Sequence, residues 1–368
     1  MKKKFIIRTA ILFILFACFA LFLQQQSHAL DTETDINDII NSAEQGDSKA
    51  QHNLGVMYSQ GWGIPQNYVE AVNWYLKAAE QGFAPAQYNL GAFYLNGQGV
   101  KRDDAEAAKW FHKAAEQGFV YAQHNLALMY DQGRNVPQDD AEAAKWFHKA
   151  AEQGLARAQY NLAVRYYEGQ GVSQDYVKAA KWFRKAAEQG DMKAQTNLAL
   201  MYGQGRGVSQ DDAEAAKWFR KAAEQGDAKA QFSLGAMYYE GQGTPQDDEE
   251  AVKWYRKAAA QGLAHAQFNL GFMYMQGIGI AQDYRKAAEL YRNAAEQGHV
   301  TAQYNLGLMY GQGRGVTQDY TKSCFWLDLA AMSGDKNASN ARDCACSGVI
   351  KECTNGWTPK TAAETIAD

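Results

Sequence analysis

Hydrophobic and polar positions recur along the chain with a step of 36 residues. An Ala-Gln pair places Gln51, Gln87, Gln123, Gln159, Gln195, Gln231, Gln267 and Gln303 at constant spacing, without an insertion. Leu follows each Gln by three residues (Leu90, Leu126) and Tyr by seven (Tyr94, Tyr130), with Gly or Ala between them (Gly91, Ala127). Leu and Tyr four residues apart share one face of a helix, and the small residue marks where a second helix approaches closely. Gly61, Gly97 and their equivalents stop this first helix, and a second Gly follows two residues later except in the third unit, where Asn135 stands. A second helix is then announced by Asp103, Asp139, Asp175, Asp211, Asp247, Asp283 or Asp319, or by Asn67, as N-cap. Glu70, Glu106, Glu142, Glu214 and Glu250, three residues on, predict a reciprocal capping box in five units. Paired alanines and a Trp line its apolar face, at Trp74, Trp110, Trp146, Trp182, Trp218, Trp254 and Trp326, with Leu290 in the seventh unit. Each second helix ends at a glycine, from Gly82 to Gly334.

The units therefore run 47–82, 83–118, 119–154, 155–190, 191–226, 227–262, 263–298 and 299–334. One helix pair cannot bury this much apolar surface alone, so neighbours must stack into an all-α solenoid. Residues 30–46 are expected to form an N-terminal capping helix, and residues 335–368 a cysteine-containing cap and tail.

The recurring unit, as in Ala86-Gln87-Tyr88-Asn89-Leu90-Gly91 with Trp110 and Ala114-Ala115-Glu116-Gln117-Gly118, resembles the Sel1-like repeat family, a relative of the tetratricopeptide repeat. The resemblance implies a right-handed superhelix of αα-hairpins that serves as an adaptor or scaffold for other proteins. It brings no shared active site and no cofactor. Secreted bacterial members look like envelope-assembly, signalling or host-interaction factors. Cysteine-rich members associated with β-lactam binding or hydrolysis resemble a form with a cysteine pair in each unit, which this chain lacks.

The first residues read as an address. Lys2, Lys3, Lys4 and Arg8 precede an apolar run from Ala10 to Leu23 and a small-residue ending, Ser27-His28-Ala29, as in a secretory signal peptide of residues 1–29 cleaved after Ala29. The run is too short for a typical spanning helix, and no second one follows, so the mature chain is expected to be exported without a transmembrane segment, periplasmic or secreted. Four of the 37 basic residues lie in that leader, which holds no acidic one, so the remainder carries 33 basic against 41 acidic residues, a net charge of −8. Such a balance argues against nucleic acid as a partner.

Cys324, Cys344, Cys346 and Cys353 cluster at the C-terminal end. In an exported protein such a set points to disulfides. Antiparallel helices bring Cys324 level with Cys344 and nearly level with Cys346; either can pair with it, leaving the other for Cys353. A four-thiolate zinc site is the competing reading. His112 and His148 share one offset with Arg184, Arg220, Arg256 and Arg292 on a charged, solvated face, and no metal is assigned to them. No nucleophile elbow, Walker loop or zinc-protease helix is present, so no catalytic residue, cofactor or metal is expected.

The candidate site is the first-helix face, which in tetratricopeptide geometry lines the concave side. An asparagine line (Asn89, Asn125, Asn161, Asn197) runs beside an aromatic or imidazole line (Tyr88, His124, Tyr160), and Arg157, Lys193 and Lys229 add a basic strip. Asn can donate to and accept from a peptide backbone, while the cations suit an acidic segment. Protein or peptide is the expected partner, with cell-wall glycan or muropeptide the alternative and a β-lactam-interacting hydrolase a more remote one. The competing reading of the asparagines is that they bridge neighbouring helices.

Overall fold

The computed structural model describes residues 33–347 except residue 135, and not the side chains of residues 33, 34 and 344. The expected signal peptide, Asn135, the Cys344 side chain, Cys353 and the tail beyond residue 347 lie outside the described residues. Within them the chain is all α, with eighteen helices and no strand. These are α1 Glu33–Glu44, α2 Ser48–Gln60, α3 Tyr68–Glu80, α4 Ala84–Asn96, α5 Asp104–Glu116, α6 Val120–Gln132, α7 Asp140–Glu152, α8 Ala156–Glu168 and α9 Tyr176–Glu188. They continue as α10 Met192–Gln204, α11 Asp212–Glu224, α12 Ala228–Glu240, α13 Asp248–Ala260, α14 Ala264–Gln276, α15 Tyr284–Glu296, α16 Val300–Gln312, α17 Tyr320–Met332 and α18 Lys336–Ser347. Two compact units result, residues 33–158 with 170–172 and residues 159–169 with 173–347.

The second helix of each repeat begins where the Asp or Asn stands. Asp103 Oδ1 accepts from the backbone N–H groups of Ala105 and Glu106 at 2.9 and 3.1 Å, and Asp211 accepts from Glu214 N–H at 3.0 Å. The reciprocal half of the capping box does not form. The backbone N–H of Asp103 donates to the Tyr94 carbonyl of the preceding helix, and that of Asp247 to Tyr238. Glu106 is therefore free to pair with Lys109 at 3.1 Å, and Glu250 with Lys253 at 2.7 Å.

The first unit is held by layers of small and aromatic side chains. Ala107, Ala108, Trp110, Phe111, Ala114 and Ala115 are all buried on α5. The residue after the Trp lies deepest: Phe111 and Phe147 are 0 and 1% exposed, against 5 and 4% for Trp110 and Trp146. The Phe111 ring passes so close to α4 that a Cβ on Gly91 would stand 2.9 Å from it.

The recurring Gln is the polar counterpart of this layer. Gln87 Nε2 donates to the Ala79 carbonyl at the end of α3 at 3.1 Å, and its Oε1 accepts from Gln117 Nε2, just past α5, at 2.7 Å. One buried carboxamide thus joins three successive helices while its donor and acceptor are both satisfied. In the second unit Gln195 does the same with Ala187 and Gln225. The arginines expected to be solvated also tie repeats together, since Arg184 and Arg220 donate to the hydroxyls of Tyr202 and Tyr238, and Arg292 to Tyr310 at 3.0 Å.

Candidate functional site

The two units treat the expected site residues differently. In the first, Tyr88, Asn89 and Asn125 are buried, at 8, 7 and 7% exposure. The residue after each Gln falls into the junction with the following second helix: Tyr88 packs on Phe111 and Phe119 at ring distances of 5.6 and 5.2 Å, and His124 on Phe147 at 5.6 Å. The Asn89 carboxamide lies 3.0 Å from His52 Nε2 and also meets Tyr75. These side chains bridge helices rather than facing a groove. Burial pushes the His124 imidazole down to about 4, with the nearby Arg157 charge adding to the shift.

In the second unit the first-helix face opens from Tyr160 to Lys229, whereas Phe268, Tyr304 and Asn305 further along it are buried, at 1, 5 and 1% exposure. Tyr160 is half-buried against the Phe183 ring at 5.8 Å, Asn161 and Asn197 are partly exposed, and Lys193 and Lys229 are exposed. Asn197 Nδ2 donates to the Lys193 carbonyl at 3.0 Å. Burial, and then the Asp191 charge, raise the Tyr160 phenol above its ordinary value. Asp191 and Asp227 spend a carboxylate oxygen on capping α10 and α12, accepting from Ala194 N–H at 2.8 Å and Ala230 N–H at 2.7 Å. Among the described residues no carboxylate pairs with Lys193 or Lys229. Leu200, seven residues after Lys193 on α10, stands 41% exposed. Sequence reading passed over Leu200, although it sits three residues after Asn197 and so on the same helix face.

Arg157 belongs to the first unit, so the structure gathers Tyr160, Asn161, Lys193, Asn197 and Lys229 in one unit, and Tyr88, Asn89, His124, Asn125 and Arg157 in the other. Sequence reading also missed Arg165, which is 5% exposed where six other repeats carry Met and the second carries Phe93. At the C-terminal end, Cys324 on α17 and Cys346 on α18 stand in disulfide geometry, Cα atoms 5.0 Å apart. No group of His, Cys, Asp and Glu suited to a metal ion occurs among the described residues, and no helix there is long and apolar enough to cross a membrane.

The Sel1 repeat model matches eight successive segments, residues 48–83, 84–119, 120–155, 156–191, 193–227, 228–263, 264–299 and 300–335. The chain belongs to the Sel1 repeat family. The array is similar to the crystal structure of a protective antigen from uropathogenic Escherichia coli displaying an SLR fold, at 42% identity and a TM-score of 0.80. That match covers 83% of this chain and 66% of the antigen. A Sel1 repeat protein from Oxalobacter formigenes is 36% identical with a TM-score of 0.64, over 84% of this chain and 90% of that one. A search of the curated proteins finds no match. Sel1 arrays are generally non-catalytic and mediate protein–protein interaction.

This Sel1 array should lose stability in acid. His52 and His299 are 7 and 8% exposed, and burial lowers both to about 4 from an ordinary 6.5. Between those values the unfolded chain binds protons that the folded chain refuses, so stability present above pH 6.5 is lost as the pH falls toward 4. Urea unfolding at pH 7 and at pH 4.5 is expected to differ by about 2–3 kcal/mol for each such histidine. His52→Phe should reduce the difference, and an unchanged difference in that variant would contradict the assignment.

Proposed function

We propose that this Sel1 protein is an exported, non-catalytic scaffold that binds a protein or peptide partner along the first-helix face of its second unit. The observation that carries this reading is the strip of Lys193, Asn197, Leu200 and Lys229, whose cations have no carboxylate partner among the described residues and whose leucine is open. Two cations without partners, in a chain of net charge −4, favour an acidic segment with an apolar side chain that covers Leu200. Asn161 and Asn197 can donate to and accept from its backbone. Export is supported by the basic and apolar leader of residues 1–29 and by the Cys324–Cys346 geometry, since such bonds persist in oxidising compartments. The secreted protein is expected to leave Cys324 and Cys346 unlabelled by a thiol reagent until it is reduced. Labelling of both without reduction would contradict the disulfide.

Capture from a bacterial envelope fraction tests the partner class. Loss of the captured material on protease treatment, with no effect of muramidase, is the expected result. Release by muramidase alone would replace the peptide with cell-wall glycan.

A further inference from the structure

The outer face of the last repeat is apolar where the other repeats are charged or polar. Phe325, Leu329 and Met332 stand at positions i, i+4 and i+7 of α17 and so form one stripe along the helix. Phe325 and Met332 are 54 and 79% exposed, and Leu329 is partly exposed. The fifth repeat holds Lys217, Lys221 and Glu224 at these three places, and the seventh holds Glu289, Asn293 and Glu296. Across the first seven repeats the only apolar residue there is Ala260. The change also takes a cation away from the indole. In six repeats a lysine at the place of Leu329 lies over the Trp ring, as Lys257 does at 3.8 Å from Trp254, whereas the Trp326 ring has Phe325 edge-on beside it at 5.1 Å. A repeat array normally closes on a polar outer face, so a contiguous apolar stripe on its last repeat calls for a cover.

The course of the chain names the occupant. α18 follows α17, and the Cys324–Cys346 geometry, with Cα atoms 5.0 Å apart, brings the end of α18 to the start of the stripe. Phe325 follows Cys324 directly and Ser347 follows Cys346, so residues 348–368 depart beside Phe325. The stripe is about 10 Å long, seven residues of helix at about 1.5 Å each. Ten residues of extended chain reach about 30 Å, so residues 348–357 have length to spare. They carry the apolar Val349, Ile350 and Trp357, and their only charges are Lys351 and Glu352, of opposite sign. We propose that residues 348–357 fold back along α17 and cover Phe325, Leu329 and Met332 with Val349, Ile350 and Trp357, closing the array with its own tail. This surface lies on a second helix and stands independently of the Lys193–Lys229 strip.

Trypsin digestion of the full chain reads this docking, because cleavage after Lys351 tracks the fraction of tail that is detached. Two variants weaken the contact from opposite sides. Phe325→Glu, Leu329→Asn and Met332→Glu together give α17 the residues of the seventh repeat and add no trypsin site, whereas Trp357→Ala trims the tail alone. Each is expected to speed cleavage after Lys351 about ten-fold or more, while the melting temperature of the array changes little. Cleavage unchanged in either variant would overturn the proposal. So would a parent protein that dimerises in sedimentation and a stripe variant that does not, since the stripe would then take a second copy of the chain.

Discussion

Gly207→Ala is expected to destabilise the second unit by about 3–5 kcal/mol, whereas Gly226→Ala should cost only about 1–2 kcal/mol. Both glycines have positive φ, +69° and +101°, so alanine meets the left-handed penalty at either position. They differ in what a Cβ would touch. At Gly226 nothing lies within 4 Å, whereas at Gly207 the methyl group would overlap the Tyr176 carbonyl in the first turn of α9. The obstacle is backbone, which cannot rotate away as a side chain can, so the hairpin turn and the preceding repeat must separate. Urea unfolding followed by circular dichroism checks the pair. Equal costs at the two positions would show that the turn does not press on the neighbouring repeat.

The second large effect concerns the aromatic layer. Phe183→Ala is expected to cost about 3–5 kcal/mol, at least as much as Trp182→Ala, although the indole is the larger group. Phe183 is 2% exposed and packs at a tilt against Tyr160, whereas Trp182 is 8% exposed and carries Lys185 over its ring at 4.2 Å. A cavity at Phe183 is lined on every side and cannot collapse toward solvent. The same unfolding series measures both variants. A cost below about 1.5 kcal/mol for Phe183→Ala, beside a large one for Trp182→Ala, would contradict this order.

Period, helix order, caps and turns were legible in the sequence because each has a local cause, such as an Asp before an Ala-rich stretch or a Gly where φ must be positive. The function of the Gln was not. Its constant spacing marked the repeat, but the three-helix bond of Gln87 needs Ala79 and Gln117, which only stacking brings together. Trp drew attention by rarity, while the deeper Phe183 beside it looked ordinary. Glu106 matched a capping box, but the Asp103 N–H it would have accepted was already committed to Tyr94 across the turn. The asparagine line divided for a similar reason. Asn89 meets His52 and a Tyr75 hydroxyl from the preceding repeat, whereas Asn197 lies on the more open face beside Leu200.

Charge reversal on the two faces of the second unit tests the account most directly. Lys193→Glu with Lys229→Glu changes the open first-helix strip, and Lys181→Glu with Lys217→Glu changes the second-helix face, where Lys217 already pairs with Glu214 at 2.9 Å. Exposed substitutions of this kind typically alter stability by only about 0.5 kcal/mol each, so both double variants should fold and melt nearly as the parent does. Measured against the protease-sensitive partner captured from the envelope, the first pair is expected to abolish binding and the second to leave it unchanged. Binding lost in the Lys181 and Lys217 pair but kept in the Lys193 and Lys229 pair would place the partner on the second-helix face and contradict the account.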